Sequence, residues 1–567
     1  MSAVTRLRLL IALLLVLGAG AALADEIGPD DQQISHTGAP GTTATDAFTP
    51  AVAYEGSSQR YLAVWSADET DGDFHIWGQV LTGAGGTPFG APFRISPDGA
   101  PGSDHRQPAV AADPGRGRFL VVWSGDGAHP GAYEILGRLV GSDGDLLGAP
   151  VRLSDMGAGD ADPAFDAVTP DVAWHPDLDA YVVVWAGDDD TGLLGNGRFE
   201  IYGQLVAGGA GAETGANDFR ISYAGPDAAG NDALAPSVAV RPGTDRWFVA
   251  FEGDIVDDGV HTPEIFMYGI SADVPDGVGV LVSEMGTTFD DVYTARHPDL
   301  VWAEGTGELV CVWDGLHNDG TPRAVYGQRL NPDGTRSGTR LDLSADTAPG
   351  GWVIPESTYP AIAVDPLDGG WFVSWRAEVI GPTPPWNFEV VGGLFDAAGA
   401  PAEPDAFLVG FMDPSLEPVP GGGRPAIAQN TDFGSRLITW SGDLAATPGD
   451  EHEIFTQAWN GGGPGNVTDV PGTTWVFALH GASPNPFNPM TTIAFDLPTA
   501  APVTLRVYDV AGRLVRTLQD AAPGRAGRNE VLWDGKDAHG RQAASGVYLY
   551  RLHTPEHEAR GRMTLVK

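Results

Sequence analysis

Pro50-Ala-Val-Ala-Tyr54, six polar residues, then Tyr61-Leu-Ala-Val-Trp65: this stretch decides the fold, because the chain repeats its pattern seven times. The prolines are Pro50, Pro108, Pro170, Pro236, Pro298, Pro360 and Pro425. The aromatics are Trp65, Trp123, Trp185, Phe251, Trp313, Trp375 and Trp440, each fifteen residues after its proline. The repeat period runs from 58 to 66 residues. The first segment alternates apolar and polar, as a half-buried strand does. The second is rich in β-branched and aromatic residues, which suit a pleated surface better than a helix. Between them, turns such as Asp113-Pro-Gly-Arg-Gly-Arg118 use proline and glycine to reverse the chain.

Two further strands complete each unit. The third is Glu134-Ile-Leu-Gly137, Glu200-Ile-Tyr-Gly203 or Glu453-Ile-Phe455. The fourth is Phe93-Arg-Ile-Ser96, Val151-Arg-Leu-Ser154, Phe219-Arg-Ile-Ser222 and their equivalents. Four short strands at this period predict a propeller blade. The last unit lacks its fourth strand and runs into Gly461-Gly-Gly463, whereas Gln32-Gln-Ile-Ser35 carries the missing Ile-Ser ending near the N-terminus. The expected fold is therefore all-β: a seven-bladed β-propeller closed by an N-terminal strand, followed by a small Ig-like β-sandwich. A row of separate sandwich domains is the competing architecture, and it does not explain the displaced strand. The repeated Trp is read as core between neighbouring blades.

On the end where second strands finish and third strands begin, the connections are long and irregular, the usual setting for binding. Three residues past the aromatic stand Asp68, Asp126, Asp188, Asp254, Glu378 and Asp443; the fifth repeat has Asp314 one residue past Trp313 instead. A second acid opens the third strand at Glu134, Glu200, Glu264, Glu389 and Glu453. A ring of carboxylates suits Ca²⁺ or a cationic ligand, since hard cations take several oxygens. The same Asp serves equally to cap its own turn by accepting backbone N–H groups.

Charge narrows the partners. The whole chain carries −43, but residues 25–474 hold 19 basic and 67 acidic groups, whereas residues 475–567 hold 11 basic and 8 acidic. The acidic part repels nucleic acid and anionic lipid. Arg6 and Arg8, the apolar run Leu9 to Leu17 and Ala22-Leu23-Ala24 form a secretory signal, so residues 1–24 are expected to be removed. The lone Cys311 lies in an apolar run and reads as a small core residue. No Gly-x-Ser-x-Gly elbow, His-Glu-x-x-His helix or zinc-type cysteine pair occurs.

After a linker at 463–476 the composition changes. Ser483-Pro-Asn-Pro-Phe-Asn-Pro489, Val507-Tyr-Asp-Val-Ala-Gly-Arg513, Trp533-Asp-Gly-Lys-Asp537 and Ser545-Gly-Val-Tyr548 resemble the immunoglobulin-like domain named for the flagellar hook-capping protein. The same run, ending in Met563-Thr-Leu-Val-Lys567, is similar to the C-terminal sorting domains of type IX secretion cargo. The resemblance covers residues 477–567 and implies export through the secretion machinery, with membrane contact only by surface attachment. Residues 25–462, the propeller, look like repeats in exported bacterial proteins. The expectation from all this is a non-enzymatic, secreted or cell-surface binding protein. Its propeller face would meet an extracellular glycan, a protein or a cation, and not nucleic acid. The alternatives are a secreted glycan-active hydrolase or lyase using carboxylates on that face, and a structural surface component.

Overall fold

The protein is described from a computed structural model covering residues 26–566. Its main omissions are 36–45, 69–72, 98–102, 158–162, 189–196, 224–231, 254–262, 286–293, 317–322, 381–386, 403–406, 411–423, 443–451 and 461–476, with a few shorter segments. The proposed signal at 1–24 and the linker lie outside the described residues. The chain divides into two compact units, one spanning Leu23–Gly463 and one containing Pro464–Lys567.

The first unit consists, among the described residues, of antiparallel sheets built in sequence order. The first sheet runs Ala47–Glu55, Arg60–Asp68, Phe74–Thr82, Phe93–Arg94. Later sheets occupy 105–152, 167–220, 233–281, 294–342 and 347–410 and keep the same strand order. The seventh joins Ala426–Gln429, Ser435–Gly442 and Glu453–Asn460 to Glu26–Gln33, with Gln33 opposite Phe455 and Glu26 opposite Trp459. The displaced strand foreseen near the N-terminus thus pairs in that sheet. The pairing continues past the strand as Ile34 N–H donates to the Ile454 carbonyl at 2.8 Å.

Cores form between sheets rather than within them. Leu62, Val64 and Ile76 of the first sheet pack on Phe119, Val121 and Trp123 of the second. The same relation recurs from each sheet to its successor. Ala63 and Trp65 of the first sheet share a further core with Leu437 and Ile454 of the seventh. All seven repeated aromatics are at most 1 % exposed, so each is core, as the sequence implies. Burying an aromatic of that size contributes roughly 1.5–3 kcal/mol. Cys311 is likewise fully buried, beside Trp313 and Leu300.

One backbone feature recurs at the first strands. The residue before the proline has positive φ in six repeats: Thr49, Gln107, Thr169, Ala235, His297 and Tyr359, all between 48° and 54°. Each lies in a register shift of the first-to-second strand ladder, as between Phe48 and Ala51 or Arg296 and Asp299. This is a β-bulge, which bends the strand and re-aims its side chains. Proline suits the bulge because it has no N–H to leave unpaired.

The second unit has a three-stranded sheet (Ala478–Ser483, Thr491–Leu497, Gly527–Trp533) and a four-stranded one (Leu514–Gly524, Ala501–Asp509, Gly546–His553, Glu558–Leu565). Phe495 and Trp533 from one sheet share a single core with Val503, Leu505, Val507, Tyr550 and Leu552 from the other. Strand Gly546–His553 alternates exposed and buried positions, as one strand of a sandwich does.

Candidate functional site

The described acids of the foreseen ring sit where the second strands end, and two of them, Asp126 and Asp188, are engaged locally by backbone N–H groups. Asp126 accepts the Asp104 N–H at 2.8 Å and the Gly131 N–H at 3.1 Å. Asp188 accepts the Gly197 N–H at 2.5 Å, and burial raises its carboxyl. Asp68 closes its strand and is buried, whereas Glu378 is half-buried. Asp254 and Asp443 lie outside the described residues. Among the described residues, no three His, Cys, Asp or Glu side chains come together as a metal-holding group.

The second set of acids does something the sequence did not reveal. Glu134, Glu200, Glu264 and Glu453 accept the hydroxyls of Ser154, Ser222, Ser283 and Ser35. Each serine also accepts the N–H just after its glutamate, at Ile135, Ile201, Ile265 and Ile454, within 2.7–2.8 Å. A Glu–Ser clasp thus fastens the third strand to the fourth. Burial pushes Glu134 up to about 7 and raises Glu264. A third recurrent acid, missed in the sequence, holds the next connection: Asp166 accepts the Tyr133 N–H, Asp232 that of Phe199 and Asp46 that of His452.

Against this repetition, one sector stands apart. The residue after the aromatic is Ser66, Ser124 and Ala186 in the first three sheets but Glu252, Asp314 and Arg376 in the next three. The residue before the proline is Thr or Gln early on, then His297, Tyr359 and Arg424 in the last three. The bulge brings His297 and Tyr359 together. Asp314, fully buried, accepts His297 Nδ1 at 2.7 Å and the Tyr359 N–H at 3.0 Å on one oxygen. Its other oxygen accepts Arg323 at 2.8 Å. Glu252 accepts the His297 N–H at 3.2 Å. The His297 and Tyr359 rings lie 4.0 Å apart, and the Arg424 guanidinium is 5.9 Å from the Tyr359 ring centre.

Just inside this cluster, where four other repeats place Ala51, Ala109, Ala361 and Ala426, stand Asp171 and Asp299. Asp171 accepts the N–H of Val172 and, across to the next sheet, of Val238, both at 2.8 Å. Asp299 accepts Ser237 Oγ at 3.1 Å and the Ile362 N–H at 2.8 Å. Part of each residue's surface stays open, yet protein surrounds the carboxyls closely. Burial pushes Asp171 up to about 7, with the Asp299 charge adding to the rise and Arg424 opposing it. Burial raises Asp299 too, and Arg424 is again among the groups that oppose the rise. Two buried carboxyls, one raised by the other's charge and opposed by the same guanidinium, can divide acid and base roles.

Comparison with known proteins adds the following. Residues 485–555 match the FlgD Ig-like domain, so the C-terminal sandwich is Ig-like. No curated protein is significantly similar to the chain. Among solved structures, an α-L-arabinanase from Penicillium chrysogenum complexed with arabinobiose shares 14 % identity over 67 % of this chain and 99 % of its own, with a TM-score of 0.42. An α-L-arabinofuranosidase from Fusarium graminearum complexed with an iminosugar inhibitor shares 12 % over 77 % and 97 %, at 0.37. A Hadza microbial sialidase shares 13 % over 62 % and 66 %, at 0.40. The first unit is all-β among the described residues, built of many four-stranded sheets. The expectation of a non-enzymatic binding protein is corrected here: the similar structures include arabinanases, an arabinofuranosidase, a sialidase, a family-43 glycoside hydrolase and an N-acetylgalactosamine deacetylase, which fit the glycan-active alternative better.

Proposed function

We propose that the chain is a glycan-active hydrolase whose acid and base are Asp171 and Asp299. The observation that carries the reading is this pair: two part-exposed residues whose closely surrounded carboxyls are both raised by burial, with the Asp299 charge acting on Asp171, at positions where four other repeats have alanine. Glycosidic hydrolysis needs one carboxylic acid to protonate the leaving oxygen and one carboxylate to act as base or nucleophile. Asp171, protonated near neutrality, is the acid, and Asp299 is its partner. Their N–H bonds to Val238 and Ile362 hold both groups in fixed orientation, the preorganisation that acid–base chemistry requires. The His297 and Tyr359 rings, tilted against each other at 4.0 Å, offer an aromatic face for a sugar ring.

The reading extends to architecture and location. We infer that the sheets of the first unit are seven blades closed by Glu26–Gln33; the cyclic succession of inter-sheet cores supports this. Asp68, Asp126, Asp188 and Glu378 then rim the end that carries the pair, while Asp254 and Asp443 lie outside the described residues. Arg6, Arg8 and the Leu9–Leu17 run support export, and the Ser483–Pro489 and C-terminal motifs support a sorting role of the type IX kind, with an extracellular or surface location.

The test is product release from a panel of polysaccharides by residues 25–567. Asp171→Asn and Asp299→Asn are each expected to lower kcat by about a hundredfold or more, the usual share of one acid or base group. Asp171→Asn should lower stability by about 1 kcal/mol, because Asn keeps one acceptor oxygen where two backbone N–H groups bond to different oxygens, far less than the loss of activity. No product from any substrate, or full activity in both variants, overturns the assignment.

A further inference from the structure

We propose that the glycan is acidic, and that Arg424, Arg376 and Arg323 form a carboxylate-recognising wall around Tyr359; this rests on the hydrolase reading above. Residues 25–474 hold 67 acidic groups against 19 basic ones, and all 19 are arginine, since the chain's two lysines are Lys536 and Lys567. Cations are therefore scarce in this unit, yet three meet at one residue.

Arg323 bonds the Asp314 carboxylate whose other oxygen holds the Tyr359 N–H. Arg376 stands opposite Thr358 in the ladder, next to Tyr359, which is among its electrostatic neighbours. Arg424 lies over the Tyr359 ring at 5.9 Å. In the first three sheets the positions of Arg376 and Arg424 hold Ser, Ala, Thr or Gln, so the fold itself does not demand arginine there.

Two acids pair with Arg323, the buried Asp314 at 2.8 Å and the part-exposed Glu356 at 3.9 Å, and Glu356 also acts on Arg376, so contact with a ligand's carboxylate falls to Arg424. Asp314 is fully buried and already engaged by Arg323, His297 and Tyr359. Arg424 acts on Asp171 and Asp299, which burial drives toward their neutral forms. Arg424 itself is exposed and positioned to meet a ligand. Guanidinium recognises carboxylate through paired, charge-assisted hydrogen bonds, and the adjoining aromatic face suits the ring that bears it. Tyr359 is held there with φ 52°, a strained backbone that the bulge and the Asp314 bond maintain.

The experiment compares polygalacturonate, alginate and hyaluronan, each beside its carboxyl-reduced form, with neutral arabinan included. Cleavage of an acidic polymer, with KM at least about tenfold lower than for its reduced form, is expected. Arg424→Gln should bring that ratio toward one. Equal cleavage of reduced polymers, or cleavage of arabinan alone, overturns the acidic-glycan inference and leaves the hydrolase reading standing. Salt-sensitive retention of an acidic polymer without product overturns the hydrolase reading and keeps the recognition wall. Neither retention nor product on any polymer overturns both.

Discussion

At the residue scale, the carboxylates separate into groups that hold the fold and groups that break its pattern. Glu134 belongs to the first kind: it accepts Ser154 Oγ and the Met156 N–H, and burial lifts it to about 7. Its pKa is higher folded than unfolded, so the folded state binds the extra proton. Stability is then greatest below the unfolded value near 4.5 and falls as pH rises toward 7. Glu134→Gln keeps an acceptor and a donor but removes the charge. It should raise the denaturation midpoint at pH 8, by about 1–3 kcal/mol, and give no gain at pH 4; urea melts at both pH values check this. Asp314→Asn has the opposite sign, because Asp314 is a fully buried anion facing Arg323 and His297. Loss of its charge should cost about 1–3 kcal/mol at pH 7, measured by the same melts. The Glu–Ser clasp was not legible in the sequence: glutamate and serine stand about twenty residues apart, and a strand-opening acid also fits a ligand site. The Asp171–Asp299 pair was hidden for a different reason. A search for repeats highlights what recurs, and these residues stand where the repeat is broken.

At the element scale, the repeat was read correctly in its strands because its proline-to-aromatic spacing and apolar alternation survive in every copy. The bulge was not, because nothing in Thr-Pro, Gln-Pro or Tyr-Pro announces positive φ in the residue before proline. Ala235 isolates the cost of that geometry, since its side chain makes no polar contact and its φ is 48°. A left-handed backbone costs an L-residue about 1–2 kcal/mol, whereas glycine adopts it freely but loses about 0.5–1 kcal/mol of chain entropy on folding. Ala235→Gly should therefore stabilise by about 0.5 kcal/mol. Ala239→Gly, in the same strand but without positive φ, should destabilise by a similar amount or more. Paired guanidinium melts of the two variants decide this; a loss of stability in both means the bulge carries no strain. The bulge also explains why His297 and Tyr359 matter together: each has positive φ before its proline, and their rings meet between neighbouring sheets. Each re-aimed position faces its counterpart on the next sheet, so substitutions that look isolated in sequence become neighbours in space.

At the scale of the whole first unit, the question is what an N-terminal strand gains by pairing more than four hundred residues away. The seventh sheet packs on both the sixth and the first, through Trp440 with Phe372 and through Leu437 with Trp65. Its outer strand alone comes from the other end of the chain. Without Glu26–Gln33, strand Glu453–Asn460 becomes an open edge, exposing backbone groups that invite pairing with another molecule. Glu453 also loses Ser35, and the Ile454 carbonyl loses the Ile34 N–H. Several hydrogen bonds at about 1 kcal/mol each put the loss at roughly 3–5 kcal/mol. A chain beginning at residue 46 should therefore melt at lower temperature in its first unit and aggregate on standing. The transition of residues 477–567, which share no sheet with this strand, should stay where it was. A synthetic peptide of residues 26–35, added in excess, should restore the first transition by mass action, because it binds the folded unit and not the unfolded chain. Calorimetry with and without the peptide separates the outcomes. An unchanged first transition in the shortened chain means that the seventh sheet stands on three strands and that the N-terminal strand closes nothing. A lowered transition that the peptide rescues means that the two ends of the unit are held by pairing alone, without need of the intervening segment 36–45.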